Sequence, residues 1–435
     1  MKTHWKFVVL AALIEAGLVA IGRLGDLRYQ APATVAILLL TQLLYLVSVW
    51  LVLNYKSLDF KGLTWVVGAA ALAFRLTAWP LAPQLSDDIF RYRWEGKLQA
   101  HGGNPYQVRP TDQAWAHLRD SAHDRITGRD FKTSYGPLIE LQERATWHLV
   151  AAFTGDPARQ IHWFKLPAAL ADLAVIAALA LLLRARGLPA ALALVYAWSP
   201  LPVMEFWATG HNDALTLLPL VLALLAAARG RWVWAFTALA LAAATKLWPL
   251  ALFPLFIGWK DRRPRRWWQW TVSLPIFAAL LWPYRSDLVE NVRFVSGFLG
   301  GWRNNDSLFG GLLGLTGDPY RAKYAAFAIV GATALALTLK RWPLERAALW
   351  TIAAMLMVSS NVHPWYLTWL LPLLAFCPST PLLLWTALAP LSYRVLIEWA
   401  LLGEWHGSTP DRWLIYVPVY GLLVWNKLRR PAVVK

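Results

Sequence analysis

A single cysteine, Cys377, stands among 435 residues. An internal disulfide is therefore impossible, and so is a cysteine-rich metal site. Charge is scarce as well: Asp, Glu, Lys and Arg make up 15% of the chain while 58% is hydrophobic, too apolar a balance for soluble domains. Glycine-rich loops of the phosphate-cradling or dinucleotide-binding kind are missing, so a substrate activated on a soluble nucleotide has no evident cradle. There is no repeat of fixed period and no low-complexity tract. A cleavable leader is not indicated either. The first apolar stretch, Phe7 to Ile21, follows Lys2 and Lys6, but it contains Glu15 and lacks a small-residue cleavage site, and it reads as a retained first helix.

What the chain has instead is a succession of apolar stretches, many near the roughly 20 residues that cross a bilayer. They fall at about 7–24, 32–54, 63–83, 163–184, 188–204, 214–229, 232–245, 247–259, 267–283, 322–339, 344–358, 364–377, 380–400 and 412–426. The expected fold is an all-α polytopic membrane protein of about 12–14 transmembrane helices, forming one integral membrane domain over residues 1–435. Within it, 1–83 supplies N-terminal helices, 84–162 is a long loop with juxtamembrane helices, and 163–435 is the remaining bundle.

The net charge of +17 is concentrated in short connections: Arg184 and Arg186, Arg229 and Arg231, Lys260 to Arg266, Lys340 and Arg341, and Lys427 with Arg429 and Arg430. This is the positive-inside pattern, and it argues for membrane anchoring against nucleic-acid binding. Several of the 28 Trp residues flank these loops, as an interfacial aromatic belt does. With both termini cytoplasmic, every basic loop faces the cytoplasm. The segments 84–162, 205–213, 245–247, 284–321, 359–363 and 401–411 then face the opposite side of the inner (plasma) membrane.

That opposite face collects the residues with chemical potential. Ser86-Asp87-Asp88-Ile89-Phe90-Arg91-Tyr92-Arg93-Trp94-Glu95-Gly96 follows an apolar span directly, and charges beside hydrocarbon are costly enough to be retained for a purpose. Ser86 suits a helix N-cap, with Asp87 and Asp88 in the first turn. A helix to about Ala100 sets Asp88, Arg91, Tyr92 and Glu95 on one face before Gly102-Gly103-Asn104-Pro105 breaks it. A second amphipathic piece follows Tyr135-Gly136-Pro137 to about Phe153. A carboxylate here can serve as a general base, and Arg91 and Arg93 have the forked donors that hold a phosphate. His211-Asn212-Asp213, Lys246 and His363 lie in the other turns of the same face. Each alone also suits a plainer role: a polar turn, a snorkelling lysine, an interfacial histidine.

The run Ser86-Asp87-Asp88-Ile89-Phe90-Arg91-Tyr92-x-Trp94-Glu95-Gly96, followed by Gln99-Ala100-x-Gly102-x-Asn104-Pro105-Tyr106, resembles the first external loop of GT-C glycosyltransferases. The nearest branch is the bacterial mannosyltransferase-like proteins that use polyprenyl-phosphate sugars. Tyr135-Gly136-Pro137-Leu138, His211-Asn212-Asp213-Ala214, Thr245-Lys246-Leu247-Trp248-Pro249 and His363-Pro364-Trp365-Tyr366-Leu367 resemble later motifs in the same order. The resemblance implies a GT-C-like bundle and a catalytic carboxylate in the first loop. Its usual place three positions before an Arg-Tyr pair selects Asp88, with Asp87 the runner-up.

The expected activity is inverting transfer of a sugar, mannose by resemblance, from a polyprenyl-phosphate donor to a hydroxyl of a glycolipid, glycan or protein. Asp88 would act as base, and Arg91, Tyr92, Glu95, Tyr135, His211, Asp213, Lys246 and His363 would contact substrate. No cofactor is expected; a divalent metal could bind near the carboxylates, but no ligand spacing demands one. The rivals are a lipid or glycan transporter or flippase, and a lipid-linked glycan polymerase or ligase.

Overall fold

The computed structural model describes residues 4–54, 60–258, 266–287, 302–403 and 409–429. The basic loop 260–265 and the end of the tail, 430–435, lie outside the described residues. The expected all-α polytopic membrane fold is the one found. Among the described residues there is no strand, and one isolated bridge joins Asn304 to Asn361. Among the described residues, five helices are long and apolar enough to cross a membrane: His4–Gly22, Ala31–Asn54, Pro157–Ala185, Pro319–Leu339 and Thr380–Leu402. Asp213–Ala228, Trp232–Thr245 and Trp248–Gly258 are shorter apolar helices. Large apolar side chains such as Trp65, Trp234, Leu335 and Val417 stand exposed, a surface suited to lipid and not to water.

The chain forms two compact units interleaved in sequence: Met1–Thr77, Pro189–Val203 and Gly300–Lys435 make one, and Ala78–Leu188 with Met204–Leu299 the other. In the first, His4–Gly22 packs along Ala31–Asn54, and Pro319–Leu339 along Leu344–Met357. The apolar run expected to be a continuous span at 188–204 is broken here into the short turns Ala190–Ala193, Leu194–Ala197 and Pro200–Pro202. Pro189, Pro200 and Pro202 cannot donate to a helical ladder. Irregular backbone survives at membrane depth only where protein satisfies it. Tyr45 Oη donates to the Val195 carbonyl at 2.6 Å, and the buried Arg75 Nη1 donates to the Ala197 carbonyl at 2.7 Å. Trp198 fixes the same strip through its indole, which donates to the Val67 carbonyl at 3.0 Å. A second expected span, 364–377, is likewise two short helices, Pro364–Leu367 and Leu371–Leu374.

In the second unit, Leu166–Ala185 packs on Asp213–Ala228, which packs in turn on Trp232–Thr245. Buried Ala168, Ala171, Ala178, Ala223, Ala227, Ala235 and Ala243 let these backbones approach closely. The 84–162 segment belongs to this unit and carries the two expected helices, Asp88–Ala100 and Pro137–Ala151, packed against each other. Pro137 pre-forms the first turn of the second.

Asp88–Ala100 is buried almost all round, not along one face. Ile89, Phe90, Trp94 and Leu98 join Trp147, Val150, Ile161 and Phe164 in one apolar cluster. Its basic side chains are satisfied inside the protein. Arg93 donates to both Asp120 oxygens at 3.1 and 2.7 Å and to Gln160 at 2.6 Å, and Lys97 donates to Asp120 at 2.9 Å. Partial burial opposes the Asp120 charge, but the bonds from Arg93 and Lys97 outweigh it and hold the carboxyl down at about 2. Asp120 thus clasps the loop between the two helices onto the first of them.

Candidate active site

Asp87 and Asp88 part company at the start of the first helix. The Asp87 carboxylate accepts a 2.5 Å hydrogen bond from Arg125 Nη2, and the Arg125 guanidinium lies over the Phe90 ring at 4.0 Å. Asp87 is thereby spent on holding the loop. Asp88 opens the helix, its backbone N–H donating to Ser86 Oγ at 3.2 Å. Ser86 therefore bonds the backbone at the helix start, one residue earlier than an N-cap, which is Asp87. The Asp88 side chain is 28% exposed against 13% for Asp87, so it is the more accessible carboxylate.

A buried chain of polar groups backs Asp88. Glu205 sits in the π-helical turn Val203–Ala208, a geometry frequent at functional sites. Its Oε2 is 2.8 Å from His211 Nδ1, and Thr209 Oγ1 is 2.9 Å from the same nitrogen. On the other side of the ring, His211 Nε2 lies 3.0 Å from Ser86 Oγ and 3.7 Å from Asp88 Oδ2. Glu205 thus flanks the ring at Nδ1, and Ser86 and Asp88 flank it at Nε2. Gly210 makes this turn possible. Its φ is +80°, and a Cβ there would meet Ile89 Cδ1 at 2.6 Å and Lys165 Cγ at 2.8 Å.

Lys246 arrives from another element. It ends the helix Trp232–Thr245 in extended conformation. The Gly136 N–H donates to the Thr245 carbonyl at 2.9 Å and so ties Lys246 to the start of Pro137–Ala151. Lys246 Nζ donates to the fully buried Asp213 at 2.7 Å and lies 5.6 Å above the Tyr135 ring. The Tyr135 hydroxyl reaches that of Tyr92 at 3.3 Å, with the two rings edge to face. Asn212, between His211 and Asp213, is buried, and both its amide atoms are without a hydrogen-bond partner among the described residues.

Burial pushes the Asp88 carboxyl above the ordinary carboxylate range. His211 and Lys246 oppose that rise, Asp213 adds to it, and the net direction is upward. A raised carboxylate is a stronger base when ionised. Burial also pushes the Tyr92 hydroxyl well up, so it stays protonated and able to donate.

The sequence-derived candidates thus converge in part. Asp88, Tyr92, Tyr135, His211, Asp213 and Lys246 belong to one cluster of the second unit. Arg91, expected at a phosphate, is turned to protein acceptors: Nε to Glu95 at 2.8 Å, Nη1 to the Gly128 carbonyl at 2.9 Å and Nη2 to the Phe131 carbonyl at 2.8 Å. Glu95, expected at substrate, is buried beside Glu140 and Glu143, and one carboxylate oxygen from each of the three lies within 4.8 Å of the other two. Burial raises all three carboxyls. His363 lies in the first unit, stacked on Trp365 at 4.2 Å, with Nδ1 3.1 Å from Asn304 Nδ2. Glu205 was missed, although an acidic residue near the start of a polar turn was the available signal.

Compared with known proteins, residues 9–260 match the family model described as alpha-(1->6)-mannopyranosyltransferase, N-terminal domain. Residues 164–364 match glycosyltransferase family 87. No curated protein and no solved structure matches.

Proposed function

Because the chain belongs to the alpha-(1->6)-mannopyranosyltransferase family and is a membrane glycosyltransferase, we propose that it transfers mannose from a polyprenyl-phosphate donor to an acceptor hydroxyl, with inversion and with Asp88 as base. The observation that carries this reading is the state of the carboxylates. Asp87 is held by Arg125, Asp213 by Lys246 and Glu205 by His211, while Asp88 keeps the 3.7 Å contact to His211 and the greatest exposure of the four.

The acceptor O–H loses its proton to Asp88 as its oxygen attacks the anomeric carbon. The bond from that carbon to the phosphate oxygen breaks, and polyprenyl phosphate leaves with the electron pair. A single displacement needs no enzyme nucleophile. A phosphate is already a good leaving group once a cation matches its growing charge. Lys246, 14% exposed and backed by Asp213, supplies that charge. Arg91 is left out because its nitrogens already serve protein acceptors. Tyr92, Tyr135 and Asn212 offer hydrogen bonds to sugar hydroxyls. Glu205 and His211 position Asp88.

The family description supports an alpha linkage to a 6-hydroxyl. One displacement then requires a beta-linked donor. The acceptor is a glycolipid, glycan or protein. The reaction is proposed for the non-cytoplasmic face, supported by the basic loops that the positive-inside rule sets on the other side.

The test is incubation of the purified protein with labelled polyprenyl-phosphate mannose and a membrane-lipid extract, beside Asp88→Asn. Label should move to a new product, with free polyprenyl phosphate released in proportion, only when the carboxylate is intact. Turnover by Asp88→Asn within tenfold of wild type overturns the assignment of the base.

A further inference from the structure

Two turns along the helix from Asp88, about 10 Å by the rise of an α-helix, the three glutamates Glu95, Glu140 and Glu143 meet in the protein interior. All are buried, at 2%, 0% and 1% exposure. Gly96 brings them together: a Cβ at that position would lie 2.5 Å from the Glu143 carbonyl oxygen, so only glycine lets the two helices approach this closely.

The hydrogen bonds around the trio leave it incomplete. Glu95 Oε1 accepts from Arg91 Nε at 2.8 Å. Glu140 accepts from Thr133 Oγ1 at 2.6 Å and from Gln99 Nε2 at 3.0 Å. Gln99 is fixed in turn by Tyr284, whose hydroxyl donates to Gln99 Oε1 at 2.8 Å. Glu95 Oε2 and both oxygens of Glu143 have no hydrogen-bond partner among the described residues. Three carboxylates therefore face one guanidinium, and three of their oxygens are sealed from water without a donor. A buried ionised carboxylate is tolerated when it is paired or bound to a metal.

We propose that Glu95, Glu140 and Glu143 form a binding site for one hard divalent cation of the calcium, magnesium and manganese class. The donors are all oxygen, with no histidine or thiolate to favour zinc or copper. Mutual distances within 4.8 Å suit the class, because ligands on opposite sides of a cation bonded at about 2.1–2.5 Å lie about 4–5 Å apart. A dication would balance the charge that Arg91 leaves over. It would also staple Asp88–Ala100 to Pro137–Ala151, the helices whose N-terminal ends present Asp88 and the Tyr135-Gly136 turn. The role is structural and separate from the reacting atoms.

The proposal stands independently of the transfer reaction and is read by binding. Full-length protein is purified, stripped with a chelator and titrated with Mn2+ followed by paramagnetic resonance, with elemental analysis of the unstripped protein alongside. The expected result is one tightly held cation per chain, a lower melting temperature after stripping, and recovery with Mn2+ or Ca2+. Asp88→Asn should keep that stoichiometry, and Glu143→Gln should lose it. Where Glu143→Gln does not fold, Glu143→Asp, which keeps the charge on a shorter arm, should bind at least tenfold more weakly. Wild type that carries no divalent cation and takes up no Mn2+ overturns the proposal and leaves the trio neutralised by protons. Equal binding by wild type and Glu143→Gln overturns it too.

Discussion

Replacing Asp120 by Asn tests how the loop between the two helices is held on the helix that carries Asp88. The substitution keeps the shape and removes the charge that Arg93 and Lys97 share at 2.7 and 2.9 Å. The carboxyl is depressed from the ordinary 3.8 to about 2. At about 1.4 kcal/mol for each tenfold in proton affinity, that depression corresponds to about 2 kcal/mol of stability at neutral pH. The sign follows from the direction. A depressed carboxyl stabilises the fold above the ordinary carboxylate range, and the benefit fades as pH falls from about 4 towards 2. Denaturant unfolding in micelles should therefore place Asp120→Asn about 2 kcal/mol below wild type at pH 7, with faster proteolysis between Gly102 and Tyr135. The gap should narrow as the pH approaches 3. A gap that stays constant from pH 7 to 3, or no gap at neutral pH, would falsify the clasp.

Three further outcomes are expected. The proposed base must be ionised to act, and burial raises the Asp88 carboxyl, so the transfer rate should rise with pH through a limb above the ordinary carboxylate range; a limb at or below pH 4 contradicts the burial argument. Lys246→Met should raise the donor KM by about ten- to a hundredfold, the worth of a charged hydrogen bond, while the acceptor KM moves little; equal shifts remove Lys246 from the phosphate. Gly210→Ala should cost about 1–3 kcal/mol and loosen His211 against Asp88, visible as a lower melting temperature and a reduced kcat; a variant as stable and active as wild type disproves the tight turn.

Several features were legible in the chain. The Ser86-Asp87-Asp88 run marked the start of the first helix, and Gly102-Gly103 and Pro137 marked where the first stops and the second starts. The polar turns read as one face do include His211, Asp213 and Lys246 in a single cluster. What sequence could not supply was the partner of each charge. Arg91 has the donors of a phosphate site, but it serves carbonyls at Gly128 and Phe131, some forty positions away. Glu140 and Glu143 look like the solvated side of an amphipathic helix; their burial depends on the close approach at Gly96, which no periodicity reveals. The run at 188–204 is apolar enough to read as a span. Its prolines interrupt the helix, and the side chains of Tyr45 and Arg75 that satisfy the broken backbone lie far away in sequence.

The central claim is a single displacement assisted by Asp88, and the anomeric configuration of the product tests it most directly. The purified protein would be given a polyprenyl-phosphate mannose of defined beta configuration, and the one-bond carbon–hydrogen coupling at the transferred anomeric centre would be read by NMR. An alpha product is predicted. A beta product would mean two displacements through an enzyme-bound sugar and would contradict the account.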